Sequence, residues 1–382
     1  MFRVCFISSF PPSRGRLSEY AYYLINELQK SPAISHIDII TDVVSHRTTR
    51  LINDKVTLHR VWMPDDVISL FFIPLEILKL RPDIVHFNVH MAVFGRSRIA
   101  NFVGLALPFF CRLMGFKTLI TLHNITERID IEKAGFKNTL LNRVGAFLAT
   151  KLVTLSSAVT VTVRSYIEIL RNRYKCKRVF WVPHGTWFIN PTNCDQPSRK
   201  PKNILYIGHS GPYKDIELLF LAFGILNRRR SDVKLIVAGD SHPNYPNFLD
   251  KYKYGNRSSN VQFTGYVPEE KLQNLFEKVD VVVLPYHTCT GTSGIAHLAS
   301  SYGVPIIATD LPEFRELAED GCGIVLSRRD PEALTESIEH VLNNPNLARE
   351  LRERNLRFTQ GRTWDKIASL FCKVYEQVRR EG

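Results

Sequence analysis

The alternation of short apolar runs with helix-length amphipathic stretches constrains this chain more than any other feature. Strand-length, β-branched runs recur at 2–9 (FRVCFISS), 36–41 (HIDIIT), 83–88 (DIVHFN), 117–123 (KTLITLH), 158–163 (AVTVTV) and 178–183 (RVFWVP). After the first of them, Ala21, Leu24, Ile25 and Leu28 recur at i, i+3, i+4 and i+7, the spacing that lines one helix face. Strands separated by helices predict parallel sheets with helices on both faces. The pattern stops at 189–203, INPTNCDQPSRKPKN, where three prolines interrupt a stretch without apolar periodicity. It restarts at 203–208, 233–239, 260–265, 280–285, 304–309 and 323–327, and helical patterns near 330–344, 346–358 and 364–380 follow. The expected architecture is α/β, with two Rossmann-like doubly wound parallel-sheet domains, 1–188 and 204–360. A linker, 189–203, joins them, and a helix within 361–382 crosses back. Open sheets of this kind bind ligands beyond the carboxyl ends of their strands, so two facing sheets would enclose a cleft.

Charge is placed unevenly. Residues 1–183 hold 25 Lys and Arg against 13 Asp and Glu, whereas the remaining 199 residues hold 25 against 24. The basic character belongs to the N-terminal half. It suits a membrane surface, a phosphorylated acceptor or nucleic acid, and serves equally as charge for solubility. Seven scattered cysteines without a CxxC pair fit a reducing cytoplasm rather than a disulfide framework or a zinc site. The start, MFRVCFISSF, reads as a strand and not as a signal peptide. Two longer apolar stretches, 67–78 and 102–115, contain proline and fall short of the ~18–20 residues of a membrane span. They read as buried or interfacial helices.

Several strands run into turns of small and polar residues. After the first, Gly15 permits a turn and a helix opens near Ser18, with Arg14 and Arg16 beside it. Helix N-termini attract anions, although the same loop could be an ordinary connection. In 207–219, IGHSGPYKDIELL, Lys214 sits near a helix start, where a cation is unfavourable unless an anion accompanies it. Phosphate binding is the better reading there, with His209 as a further donor. After 280–285, the loop Thr290, Gly291, Thr292, Ser293, Gly294 opens another helix. Its glycines admit close approach of a phosphate and its hydroxyls can cap, or it serves helix–sheet packing alone. Histidines stand at strand ends: His86, His90, His123 and His184. The P-loop, the GxSxG elbow and HExxH are absent, as is a complete GxGxxG after the first strand.

Taken in order, these segments resemble the retaining nucleotide-sugar glycosyltransferases of GT-B architecture (glycosyltransferase family 4, glycosyl transferases group 1). The likeness rests on PPSRGRLSEYAYYLINEL, PDIVHFNVH, KTLITLHNIT, VPHG, NILYIGHSGPYKDIELLFLAF, VQFTGYVPEEKLQNLFEKVDVVVLPY and SYGVPIIATDLPEFRELAEDGCGIVL. It implies transfer of a sugar from a nucleotide-sugar donor to a glycan or lipid-linked acceptor, with retained anomeric configuration. It implies no nucleic-acid partner, no cofactor and no required metal. It implies a cytoplasmic protein, peripheral on the cytoplasmic face of an anionic membrane. By the same resemblance His123 and Lys214 are the catalytic candidates. Gly15, Arg16, His209, Lys214, Thr290 to Gly294 and Glu316 are donor-side, and His86 and His90 acceptor-side. Two departures stand out. His209 replaces a common arginine, and the positions of a common glutamate pair are Thr290 and Leu298. The pair's usual contacts are to the donor sugar and the ribose, and neighbours such as His297 would have to replace them. The departures leave two other classes open: a non-catalytic partner of a glycosyltransferase complex, and an epimerase or phosphorylase on the same fold.

Overall fold

A computed structural model of the chain describes residues 1–380 except 14, 129–131, 133–137, 188–200, 243–244, 256–257 and 290, and gives Arg16 by its backbone alone. Most of the expected linker, together with Arg14 and Thr290, therefore lies outside the described residues. The chain divides into two compact units. The first ends at Gly185 and recovers the chain from Trp364, and the second runs Thr186–Thr363.

The first unit carries β1 (Phe2–Ile7), β2 (Ile34–Asp42), β3 (Thr48–Asn53), β4 (Val56–Trp62), β5 (Ile84–Val89), β6 (Thr118–Leu122), β7 (Ala158–Val161) and β8 (Val179–Trp181). Their order across the sheet is β3-β4-β2-β1-β5-β6-β7-β8. All neighbours are parallel except β3, which lies antiparallel on β4. β5, β6 and β7 are buried on both faces, as parallel strands covered by two helix layers must be. The β3–β4 hairpin was not expected from the sequence. β3 is an exposed edge strand, TTRLIN, with little apolar signal to give.

Right-handed crossovers fix which face each helix covers. The Arg16–Leu28 helix follows β1 toward β2, against the direction of the later connections, and so takes one face. The Trp364–Arg380 helix packs beside it. The helices Phe72–Leu80, Arg98–Leu113 and Leu140–Val153 take the other. The apolar stretches 67–78 and 102–115 thus do become helices. Among the described residues no helix is long and apolar enough to cross a membrane.

The second unit carries β9 (Lys202–Ile207), β10 (Val233–Ala238), β11 (Val261–Gly265), β12 (Val281–Leu284), β13 (Ile306–Thr309) and β14 (Ile324–Ser327), in the order β11-β10-β9-β12-β13-β14 and all parallel. In each sheet the chain starts in the middle, builds one side, then returns to build the other. The switch points are β1/β5 and β9/β12. There the outgoing loops diverge to opposite faces and leave a crevice at the strand ends.

Candidate functional site

In the second unit the two loops leaving the switch point are the expected phosphate segments. The amides of His287 and Thr288, after β12, both donate to the Tyr213 carbonyl, after β9, at 2.9 and 3.3 Å. Gly208 ends β9 at φ +116°, and a Cβ there would stand 2.8 Å from Lys214 Nζ and 3.5 Å from Ile295 Cδ1. Glycine thus makes room for the lysine head to fold back over the strand end. Lys214 is only 7% exposed, and its Nζ lies 5.3 Å from the centre of the Tyr286 ring. Its neighbour Asp215 is occupied elsewhere. It accepts from the Leu218 amide at the start of the Ile216–Arg229 helix and from Arg329 Nε at 2.7 Å.

The loop after β12 turns at Gly291, φ +116°, and enters the Gly294–Ser301 helix. Ser293 caps that helix, its hydroxyl accepting from the Ala296 amide at 3.3 Å. Thr292 Oγ1 lies 2.9 Å from His297 Nε2, and the His297 ring stacks on Phe358. A buried lysine head and the first-turn amides of a capped helix together suit an anion. His209 is exposed, with its ring edge-on to His242.

Leu298 is 6% exposed and belongs to the apolar core under the sheet, so this position has been given over to packing. Glu316 is half-buried on the Pro312–Glu319 helix. Glu313, one turn earlier, is 4% exposed. Burial pushes the Cys289 thiol well up, Glu313 adds to that shift and Lys214 opposes it. A buried carboxylate and the buried lysine therefore both act on Cys289. Sequence reasoning missed Glu313. The signal was its place beside Phe314 and Leu317 on the helix's inward face.

In the first unit a hydrogen-bonded chain crosses the ends of β6, β5 and β1. His123 Nε2 meets Asn88 Oδ1 at 2.7 Å, and Asn88 Nδ2 donates to Ser8 Oγ at 3.0 Å. An amide oxygen only accepts, so Nε2 carries the proton and Nδ1 is left as an acceptor. The Tyr20 ring stands edge-on to His123 at 4.6 Å. Burial, then the neighbouring His184, His90 and His86, hold the His123 imidazole well below its ordinary pKa. His90 Nδ1 accepts from the Ala92 amide at 3.1 Å, and burial lowers this histidine to about 4. Gly15 precedes the Arg16–Leu28 helix with nothing within 4 Å of where a Cβ would stand.

His86 requires a correction. It is fully buried within β5, with Nδ1 on Tyr375 Oη at 2.8 Å and Nε2 on Thr121 Oγ1 at 2.7 Å. Both nitrogens are used inside the core, so His86 cannot face an acceptor.

Two parallel-sheet α/β units, each with polar loops at its switch point, define a GT-B glycosyltransferase fold. The backbone is similar to sucrose-phosphate synthase from Thermosynechococcus elongatus, with a TM-score of 0.77 at 19% identity over 99% of each chain. It is also similar to Anabaena HepE solved with UDP, with a TM-score of 0.70 at 13% identity over 99% of this chain and 100% of that one. The chain resembles the GT-B nucleotide-sugar glycosyltransferases, and residues 195–358 match the family described as glycosyl transferases group 1. A curated relative, the phosphatidyl-myo-inositol mannosyltransferase of Mycobacterium leprae, is 24% identical over 206 residues, 53% of this chain and 54% of that protein. The chain spans about half the length of the curated relatives it matches.

Proposed function

We propose that this protein is a retaining glycosyltransferase that moves a sugar from a nucleotide-sugar donor to a glycan or lipid-linked acceptor. The observation that carries the reading is Lys214, a buried ammonium folded over Gly208 at the β9/β12 switch point, next to a capped helix start. As the glycosidic bond breaks, negative charge grows on the leaving diphosphate. A fixed cation and fixed amides favour that charge without reorganising at the moment of reaction. Lys214 and the amides around Gly291 to Gly294 take this role, and His209 adds a donor at the rim. Glu313, with Glu316 near it, is the acidic group offered to the nucleotide. His123, neutral and fixed by Asn88, offers Nδ1 to a hydroxyl of the sugar or acceptor, beside His90, while Gly15 and the Arg16 amide approach the donor. Neutralisation by lysine and amides needs no divalent cation, so chelation by EDTA is expected to leave the rate unchanged.

The relative that acts on phosphatidyl-myo-inositol supports a lipid-linked acceptor. With the basic N-terminal half, it supports a peripheral place on the cytoplasmic face of an anionic membrane. The neighbour solved with UDP puts UDP-sugars first in a donor screen. In that screen, read as nucleoside diphosphate release, Lys214→Ala is expected to lower turnover by about 10²–10³-fold, the usual cost of one such donor. An unchanged rate refutes the assignment. The anomeric configuration of the product by NMR tests retention. One observation favours a non-catalytic partner instead: Leu298 is buried among apolar side chains, at a position where the family resemblance implies a glutamate. Nucleotide binding without release from any donor would establish that second reading.

A further inference from the structure

The helix layer on one face of the first unit carries apolar side chains on its outward face as well as on the face packed against the sheet. The Leu140–Val153 helix buries Ala149, Thr150 and Val153 against the sheet. It turns Leu140, Leu141, Val144, Phe147 and Leu148 outward, with Leu140 and Leu141 78% and 77% exposed. Their spacing of i, i+1, i+4, i+7 and i+8 is that of a core stripe, here facing solvent. The neighbouring Arg98–Leu113 helix repeats the arrangement. Ile99, Phe102, Phe110 and Leu113 are exposed and fall within an arc of about 80° at 100° per residue. Arg98 Nη1 joins the two helices through Asn142 Oδ1 at 2.8 Å. Two adjacent outward apolar stripes exceed the scattered surface hydrophobics of an ordinary soluble face.

The charges carried by the two helices have one sign. The two helices carry Arg98, Arg112, Arg143 and Lys151 and neither contains Asp or Glu. A second copy docked through the same face would bring like charges together. An anionic bilayer satisfies both features, taking the apolar side chains at its headgroup boundary and the basic ones against its phosphates.

We propose that the exposed faces of the Arg98–Leu113 and Leu140–Val153 helices form a docking surface for an anionic lipid bilayer. The inference deepens the membrane reading given above and rests on it. It predicts sedimentation of the full chain with vesicles of phosphatidylcholine containing a third phosphatidylglycerol, and not with pure phosphatidylcholine. The double substitution Leu140→Glu with Leu141→Glu is expected to weaken that binding at least tenfold, and Ile99→Ser with Phe110→Ser to do likewise. Tyr254→Glu, at an 84% exposed aromatic in the other unit, leaves it unchanged. Nucleoside diphosphate release in vesicle-free solution stays at the wild-type rate in every variant, which separates this surface from the donor site. Wild-type protein that ignores anionic vesicles sinks the membrane reading as well. Binding that survives both double substitutions sinks the docking surface alone. Dimers seen by sedimentation velocity that dissociate in the Leu140→Glu, Leu141→Glu variant would show that the face meets a second copy and would overturn the proposal.

Discussion

At the residue scale, histidine burial and lysine placement follow one accounting rule: a polar group removed from water needs partners or loses its charge. His86 is fully buried, with a hydroxyl partner on each nitrogen. Burial alone takes it from its ordinary 6.5 to about 3. The sign of the consequence is fixed. Below pH 6.5 an unfolded chain protonates at this histidine while the folded chain does not, so stability is lost as pH falls toward 3. His90, held at about 4, adds to the same slope down to that value. The melting temperature is therefore expected to drop on acidification from pH 6.5 to 4. His86→Gln, which cannot titrate, should melt lower at pH 7 yet show a shallower slope across that window. A slope equal to wild type in differential scanning calorimetry would mean that His86 is not held neutral. Lys214 is likewise removed from water, at 7% exposure. It was legible in the sequence as a cation at a helix start, where the dipole opposes it. His86 was misread because an apolar run buried on both faces gives no alternation to tell inward from outward positions.

At the element scale, one buried side chain ties three pieces of the second unit together. Asn355, on the Pro345–Gln360 helix, accepts from the Gly323 amide at 2.7 Å and from Ser300 Oγ at 3.1 Å, and donates to the Val304 carbonyl at 2.7 Å. It thereby holds the entry to β14, the Gly294–Ser301 helix and the turn before β13 to one point. Asn355→Ala would leave buried backbone groups without partners, and is expected to cost about 3 kcal/mol. Urea unfolding followed by tryptophan fluorescence measures it; a loss below about 0.5 kcal/mol, the scale of a surface change, would contradict the bonding described. Elements of this unit were legible because its inner strands carry continuous apolar runs, several of them bounded by glycine or proline. What the pattern did not separate was Glu313 from Glu316. Both are acidic residues on one short helix, and only the packing of Phe314 and Leu317 shows which of them faces inward. Strand β3 escaped for a different reason. An edge strand needs no apolar face, so its residues carry no periodic signal.

At the scale of the whole molecule, the last helix decides which unit is complete without its neighbour. Trp364–Arg380 buries Ile367, Phe371, Tyr375 and Val378 within the first unit, although the second unit's residues precede it in the chain. Its contacts reach the centre of that sheet. Phe371 lies 5.1 Å from the His86 ring, Tyr375 packs edge-on to Phe2 at 6.1 Å, and Arg178 Nη2 donates to the Gln377 carbonyl at 2.9 Å. The helix itself was legible from its amphipathic pattern, whereas its anchoring on a buried histidine was not. The first unit's stability should then depend on the far end of the chain. Phe371→Ala removes a fully buried ring and is expected to cost about 3–5 kcal/mol. Amide hydrogen exchange followed by mass spectrometry should show that cost as faster exchange in β1, β5, β6 and the Arg16–Leu28 helix, with β9 to β14 unchanged. If protection fell equally in both units, the helix would be a shared element, and the division of the chain at Thr363 would not be a division in stability.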